Sequence, residues 1–274
     1  MSRSLSRLES KLILHLEWEN QPVVSIQEAM DILGCSYNHA RKILHGLKDR
    51  GWLARITAGT YELIPAERGE HAFPDTNRLF LGSTLVEPYY FSFATAAFFH
   101  GLSTQASATV YIATNVRTGR RVHTVRGKRY RLVLQADHKF FGAAEVDAYG
   151  SAVMMARPEK TVVDSLDRPE YAGDIPEIAG MLSRGRAKLD WPGLAEYALR
   201  FRSQALVQRL GYMIDVLDLQ IDTRARERLL SGVGQSRPYL GRPGKWDTGG
   251  DYDPTWRIMD NVPRRQLLAE IEVV

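Results

Sequence analysis

Seven histidines, one cysteine and 32 acidic residues are the raw material for chemistry in this 274-residue chain. A zinc hydrolase would place two histidines four apart on a helix with a glutamate between them. No such spacing occurs, and His39 and His45, six apart, do not share a helical face. The segment Gly241-Arg-Pro-Gly-Lys-Trp246 has the composition of a phosphate loop. However, Tyr239 stands where that loop needs glycine, and Trp246 where Ser or Thr would bind magnesium, so it reads as a Gly/Pro loop. The pairs Glu145-Val-Asp147 and Glu270-Ile-Glu272 offer the carboxylates of a metal nuclease without the lysine such a site usually adds. The expectation is therefore no catalytic residue, no metal, no cofactor and a protein that is not an enzyme. The alternative that stays open is a DNA-processing enzyme, nuclease-like and metal-dependent.

The chemistry the sequence does arrange is recognition of base edges. Asparagine suits a bidentate contact to adenine and arginine one to guanine. Asn38 and Arg41 lie three apart among other polar residues, giving Ser36, Tyr37, Asn38, His39, Arg41, Lys42 and His45 as candidate DNA contacts. Lys42 and Lys48 suit phosphates, which hold position without specifying sequence. Ser36 either donates to a phosphate or only caps a helix. Arg55 and Tyr61, further on, complete the candidate DNA-binding set.

These side chains need a scaffold, and local patterns supply one. Leu5, Leu8, Leu12 and Leu16 recur at helical spacing, predicting a helix from Ser4 to Glu19 that stops at Asn20-Gln-Pro22. Ser25 with Glu28 three residues on has capping-box spacing, so a second helix runs to Leu33 and ends at Gly34. Ala40, Ile43, Leu44 and Leu47 form the apolar stripe of a third, from Tyr37 to Arg50. Two short strands, Trp52–Ile56 and Thr60–Ile64, flank Thr57-Ala-Gly59 as a hairpin. Helix, helix, turn, helix and hairpin make a winged helix-turn-helix, whose third helix can enter the major groove.

Length and charge are consistent with this but weaker. The 274 residues suggest roughly two domains at about 150 residues each. The division expected is a winged helix over 1–66, a charged, proline-bounded linker over 67–76 and an α+β domain over 77–274. The formal charge of +4 is modest, yet Ser36–Thr57 alone carries +4 while residues 1–64 carry only +1. Positive charge is thus concentrated where DNA is expected. A single cysteine, Cys35, excludes an intrachain disulfide. The first residues lack an apolar signal core, and the greasiest window, Tyr89–Phe99, is too short for a span. A cytoplasmic protein without membrane contact is expected.

In the larger domain, Ser92–Gly101 predicts a short buried helix capped by Ser92. Ala108–Thr114 and Ser151–Ala156 predict strands, and Pro158 opens a helix through Leu166. Later apolar stripes, Leu194 to Phe201 and Leu206 to Leu217, predict further helices. Strands followed by a run of helices indicate α+β.

The order of these segments is familiar. Tyr90-Phe-Ser-Phe-Ala-Thr-Ala-Ala-Phe-Phe-His-Gly-Leu102 follows the winged helix. Then come Ala156-Arg-Pro-Glu-Lys-Thr-Val-Val-Asp-Ser-Leu166, Arg209-Leu-Gly-Tyr-Met-Ile214 and Tyr252-Asp-Pro-Thr-Trp-Arg-Ile-Met-Asp-Asn-Val262. Over nearly its whole length the chain resembles the AbiEi antitoxins, the regulator half of type IV abortive-infection toxin–antitoxin pairs used in phage defence. The resemblance implies a transcriptional repressor whose winged helix binds inverted repeats in its own promoter, as two monomers or a homodimer. It also implies a larger domain that counteracts a nucleotidyltransferase toxin, with or without direct contact. No individual antitoxin residue carries over.

One stretch is not absorbed by that picture. Arg117–Lys139 carries a net +7 on a predicted hairpin around Gly127-Lys128. Alternation sends Arg129 and Arg131 to one face and Tyr130 to the other. Arg120, Arg121, Arg126, Lys128, Arg129 and Arg131 are a candidate second surface for nucleic acid or a protein partner. The alternative is an edge hairpin kept soluble by its charge.

Overall fold

Local signals define the N-terminal elements. The computed structural model describes residues 4–66, 77–246 and 249–269. Helix α1 (Arg7–Trp18) is closed at its start by a capping box, in which the Ser6 amide donates to Glu9 at 2.9 Å. Strand β1 (Val23–Ser25) leads into α2 (Ile26–Leu33), where the Ser25 amide donates to Glu28 at 2.7 Å and the Glu28 amide to Ser25 Oγ at 3.1 Å. Gly34 ends α2 with φ 66°, the left-handed cap that glycine adopts without a Cβ penalty. Helix α3 (Tyr37–Asp49) follows after two residues, then β2 (Leu53–Thr57) and β3 (Thr60–Leu63). The three strands form an antiparallel sheet in the order β1-β3-β2. Strand β1 is a finding: three residues are too short to show alternation in sequence. The core is Leu12, Ile13 and Leu16 of α1 with Ala29 and Leu33 of α2, Ala40, Leu44 and Leu47 of α3, and Tyr61 and Leu63 of β3.

The chain divides into two units, residues up to Thr84 together with Thr124–Gly127, and Leu85–His123 together with Lys128 onward. Helix α4 (Arg78–Ser83), expected within the larger domain, groups with the first unit. The expected linker, 67–76, and the Glu270–Glu272 pair lie outside the described residues.

The second unit has the mixed α+β composition expected. Its strands are β4 (Tyr90–Phe91), β5 (Thr109–Thr114), β7 (Lys128–Leu134), β8 (Ala143–Asp147) and β9 (Ala152–Ala156), with β6 (Val122–Val125) divided between the two groups of residues, and the sheet runs β6-β7-β5-β4-β9-β8. The pairs β5·β7 and β4·β9 are parallel, and β4·β5 and β8·β9 antiparallel. Helix α5 (Phe93–Phe99) lies between β4 and β5 in the chain. Helix α6 (Pro158–Asp167) packs on α5, α7 (Ile175–Gly185), α8 (Trp191–Arg200) and α9 (Gln204–Val216). Helix α10 (Thr223–Ser231), a two-stranded ribbon of β10 (Asp251–Asp253) and β11 (Ile258–Asp260), and α11 (Arg264–Leu268) complete it.

One close approach ties the C-terminal ribbon to the helices. Trp256 is fully buried and its Nε1–H donates to Asp215 at 2.7 Å. It lies over Gly211 of α9, where a Cβ would stand 2.1 Å from the indole ring. Only glycine leaves room for the tryptophan there.

Candidate nucleic-acid interface

Helix α3 has a strict division of faces. Ala40, Ile43, Leu44 and Leu47 are buried, while Tyr37, Asn38, His39, Arg41, Lys42 and His45 are exposed. This is the 3.6-residue period of a helix packed on one side. Tyr37 is 52% exposed, unusual for a large aromatic side chain with no internal role. Ser36 at the N-terminus of α3 makes no side-chain cap bond, so the cap-only alternative is not realised.

Charge on this face is unevenly committed. The His45 Nδ1 pairs with Asp49 at 2.9 Å and Lys48 Nζ with the same carboxylate at 2.9 Å. The Lys48 hydrogen bond, partly offset by desolvation and assisted by His45, holds the Asp49 carboxyl below its usual range. Arg50 is ion-paired with Glu9, which fixes the end of α3 to α1. Burial raises the Glu9 carboxyl, but the Ser6 hydrogen bonds and Arg50 outweigh it and the net shift is downward. Arg41 and Lys42 have no carboxylate within ion-pairing distance among the described residues. They are therefore the cations of α3 available to an external anion.

The hairpin residues part ways. Arg55 is exposed, and its Nε donates to the Thr57 carbonyl at 3.1 Å. Tyr61 is only 6% exposed and belongs to the core, where it faces Val24 across β1 and β3. Tyr61 thus does not offer its ring to solvent, because strand alternation and the added strand β1 turn it inward.

The basic stretch also divides. Its turn is Arg126-Gly127, both with positive φ, as a two-residue hairpin of the primed type needs. Arg126 pairs with buried Glu62 at 2.7 Å and is not an exposed cation. Arg121, Lys128 and Arg129 are exposed, and Arg120 is exposed with its Nε bonded to the Val122 carbonyl at 2.8 Å. Arg131 is half-buried beside Tyr171, with its guanidinium 5.6 Å from the ring centroid, and Tyr130 is fully buried on the opposite face.

Of the acidic residues weighed for catalysis, the described ones are Glu145 and Asp147. Both are exposed on the terminal strand β8. Among the described residues no group of three or more His, Cys, Asp or Glu could hold a metal ion. The Gly241–Trp246 loop precedes no helix, and Trp246 Nε1 donates to Asp174 at 3.0 Å.

A polar cluster that sequence reasoning missed lies inside the second unit. Lys160 and Asp164, four apart on α6, form a fully buried ion pair. Lys160 also donates to Tyr90 Oη at 2.8 Å. Asp164 accepts from Ser92 Oγ at 2.6 Å and from Gln135 Nε2 at 3.0 Å. The expected Ser92 side-chain cap on α5 is accordingly absent, its hydroxyl being committed to Asp164. Burial pushes Lys160 down and Asp164 up, each opposed by the other's charge. Sealed from solvent, the cluster ties β4, the residue after β7 and α6 together. The i,i+4 spacing of Lys160 and Asp164 was the available signal.

No protein-family model and no curated protein matches the chain. Its fold is similar to that of a crystal structure, the RV2827C protein from Mycobacterium tuberculosis. The two share 18% identity and a TM-score of 0.61 over 99% of this chain and 97% of that chain. At that identity the likeness concerns the fold alone. No helix among the described residues is long and apolar enough to cross a membrane.

Proposed function

We propose that this chain is a DNA-binding autorepressor and antitoxin of a type IV toxin–antitoxin pair, acting in the cytoplasm. In this reading the first unit is a winged helix-turn-helix and α3 its recognition helix, bound to inverted repeats of double-stranded promoter DNA. The larger unit counteracts a nucleotidyltransferase toxin, an assignment that rests on the resemblance to AbiEi antitoxins. The observation that carries the DNA reading is the exposed face of α3. It offers Asn38 and Arg41 for base edges, Lys42 for phosphate, and no carboxylate facing Arg41 or Lys42. An arginine or asparagine placed in this way discriminates bases by about 1–3 kcal/mol.

Mobility shifts on the chain's own upstream DNA test the reading. Arg41→Ala and Asn38→Ala should each cost about 1–3 kcal/mol of site-specific affinity. Wild-type affinity in both variants would reject α3 as the reading element. Metal-dependent cleavage of the DNA, lost in Glu145→Ala, would favour the nuclease instead. Co-expression with a neighbouring nucleotidyltransferase gene tests the antitoxin role, and toxicity that persists would reject it.

A further inference from the structure

A cleft of about 650 Å³ opens in the second unit between the end of α6, α9 and the Gly241–Trp246 loop. Arg209 of α9, partly buried, is one of its lining residues. The Arg209 Nε donates to the Tyr239 carbonyl at 3.1 Å, and its remaining N–H groups have no hydrogen-bond partner among the described residues. Burial pulls its guanidinium below the ordinary arginine range, against the support of Asp167, Asp174 and Glu170 at longer distance. A desolvated arginine is normally matched by a carboxylate in a forked pair. Two of the three carboxylates that line the cleft are engaged, and the third, Glu170, is exposed at its edge. Asp167 accepts from Lys139 at 2.7 Å, and Asp174 holds Lys245 at 2.6 Å and Trp246 at 3.0 Å.

The rim adds more unspent charge. Arg242 is exposed, with no side-chain partner among the described residues, and Arg168 reaches Asp167 only at 3.7 Å. Among the lining residues Arg168, Arg209, Arg242 and Lys245 stand against Asp167, Glu170 and Asp174, an excess of one positive charge, and Lys139 pairs with Asp167 from outside the lining. A phosphate monoester carries close to two negative charges at neutral pH, its second ionisation lying near pH 6. Its oxygens suit the planar arginine fork. Leu240, Pro169 and Pro243 form an apolar wall for an organic group, and the volume lies in the range of small-molecule sites, about 300–1,000 Å³. The Gly/Pro loop thus contributes Arg242 and Lys245 without being a phosphate loop.

We propose that this cleft binds a small phosphate monoester, with Arg209 in its lining and Arg242 closing over the phosphate from the rim. The site is separate from α3 and does not depend on DNA binding.

Isothermal titration of the full chain with inorganic phosphate and with adenosine 5′-monophosphate, at constant ionic strength, is the test. Both should bind saturably at one site per chain. Affinity for the nucleotide should rise as pH is raised through about 6, where a phosphate monoester becomes dianionic. Arg242→Ala should weaken both about tenfold or more, as expected for losing a hydrogen bond to a charged group. Arg209→Lys, which keeps the charge but loses the fork, should do likewise; if it does not fold, Arg242→Ala alone decides. Promoter shifts by Arg242→Ala should be unchanged. No saturable binding of either probe at roughly 10 mM, or equal binding by wild type and Arg242→Ala, would overturn the proposal. So would displacement of the nucleotide by an oligonucleotide with hydroxyl ends, whose phosphates are all diesters.

Discussion

Replacing Lys160 by methionine tests how the second unit tolerates a buried charge. Lys160 and Asp164 have no solvent exposure. Without the lysine, Asp164 retains neutral donors alone, among them Ser92 at 2.6 Å and Gln135 at 3.0 Å. Removing one partner of a buried ion pair typically costs about 3–5 kcal/mol. The carboxyl can escape by taking a proton. From a free pKa of about 3.9, protonation at pH 7 costs about 4 kcal/mol, which sets a ceiling on the electrostatic part. The surviving donors lower it, while Tyr90 loses its bond from Lys160, worth about 1 kcal/mol. The expected loss is therefore about 3–4 kcal/mol, or a fall in melting temperature of very roughly 6–16 °C for a unit of this size.

Urea unfolding followed by circular dichroism reads this directly, and pH supplies a signature that packing loss lacks. In the variant the folded carboxyl titrates above its unfolded value, so the folded state binds the extra proton. Lowering the pH from 7 toward 5 should then shrink the deficit relative to wild type, by at most about 1.4 kcal/mol per unit. Adding Asp164→Asn should recover at least half of the loss, because the amide oxygen still accepts from Ser92 and Gln135. A deficit below about 1 kcal/mol, or one that does not change between pH 7 and 5, would refute the argument that charge burial dominates at this site.

Gly211→Ala should destabilise the second unit by about 3 kcal/mol or more, since its Cβ would stand 2.1 Å from the Trp256 ring; a thermal melt within 2 °C of wild type, roughly 1 kcal/mol or less, would contradict that. Burial lowers the pKa of His100, whose Nε2 lies 2.7 Å from the Ala156 carbonyl. The unfolded chain then binds the proton first, so this residue's contribution to stability should fall as pH drops below about 6.5, and His100→Gln should flatten that part of the urea profile. Arg55→Ala should weaken promoter binding uniformly across sequences and reduce the salt slope by about one, whereas Tyr61→Phe should leave affinity unchanged because its ring is internal.

The first unit was largely legible because its signals are local. The Ser25–Glu28 box, Gly34 and the α3 stripe each specify structure within a few residues. What escaped was pairing at a distance. Strand β1 is three residues and β4 two, below the length at which alternation is visible, yet β1 turns Tyr61 inward and β4 joins parallel and antiparallel halves of a sheet. The α+β class of the second unit followed from its run of strands and then helices, but the strand order did not, since parallel pairs such as β5·β7 are set by long connections. Arg126 shows the same limit for charge. Composition counted it in a basic surface, while its ion pair with Glu62 lies 64 positions away in the chain. Arg209 and Arg242 likewise become a site only when α9 and the loop meet.

The seat of Trp256 on Gly211 has a consequence for synthesis. Leu240, Trp256, Ile258, Val262 and Leu267 are all interior to the helical core, and all follow in sequence the helices they cover. Until the ribosome has delivered them, α7 and α9 present bare apolar surface, and the nascent second unit has an open side. The cluster formed by α1–α3 and the three-stranded sheet has no such debt, because its buried residues are all made by Leu63. The chain is thus built to fold in two stages, with an early N-terminal core that Thr124–Gly127 joins later and a long interval in which the remainder is exposed to chaperones and proteases.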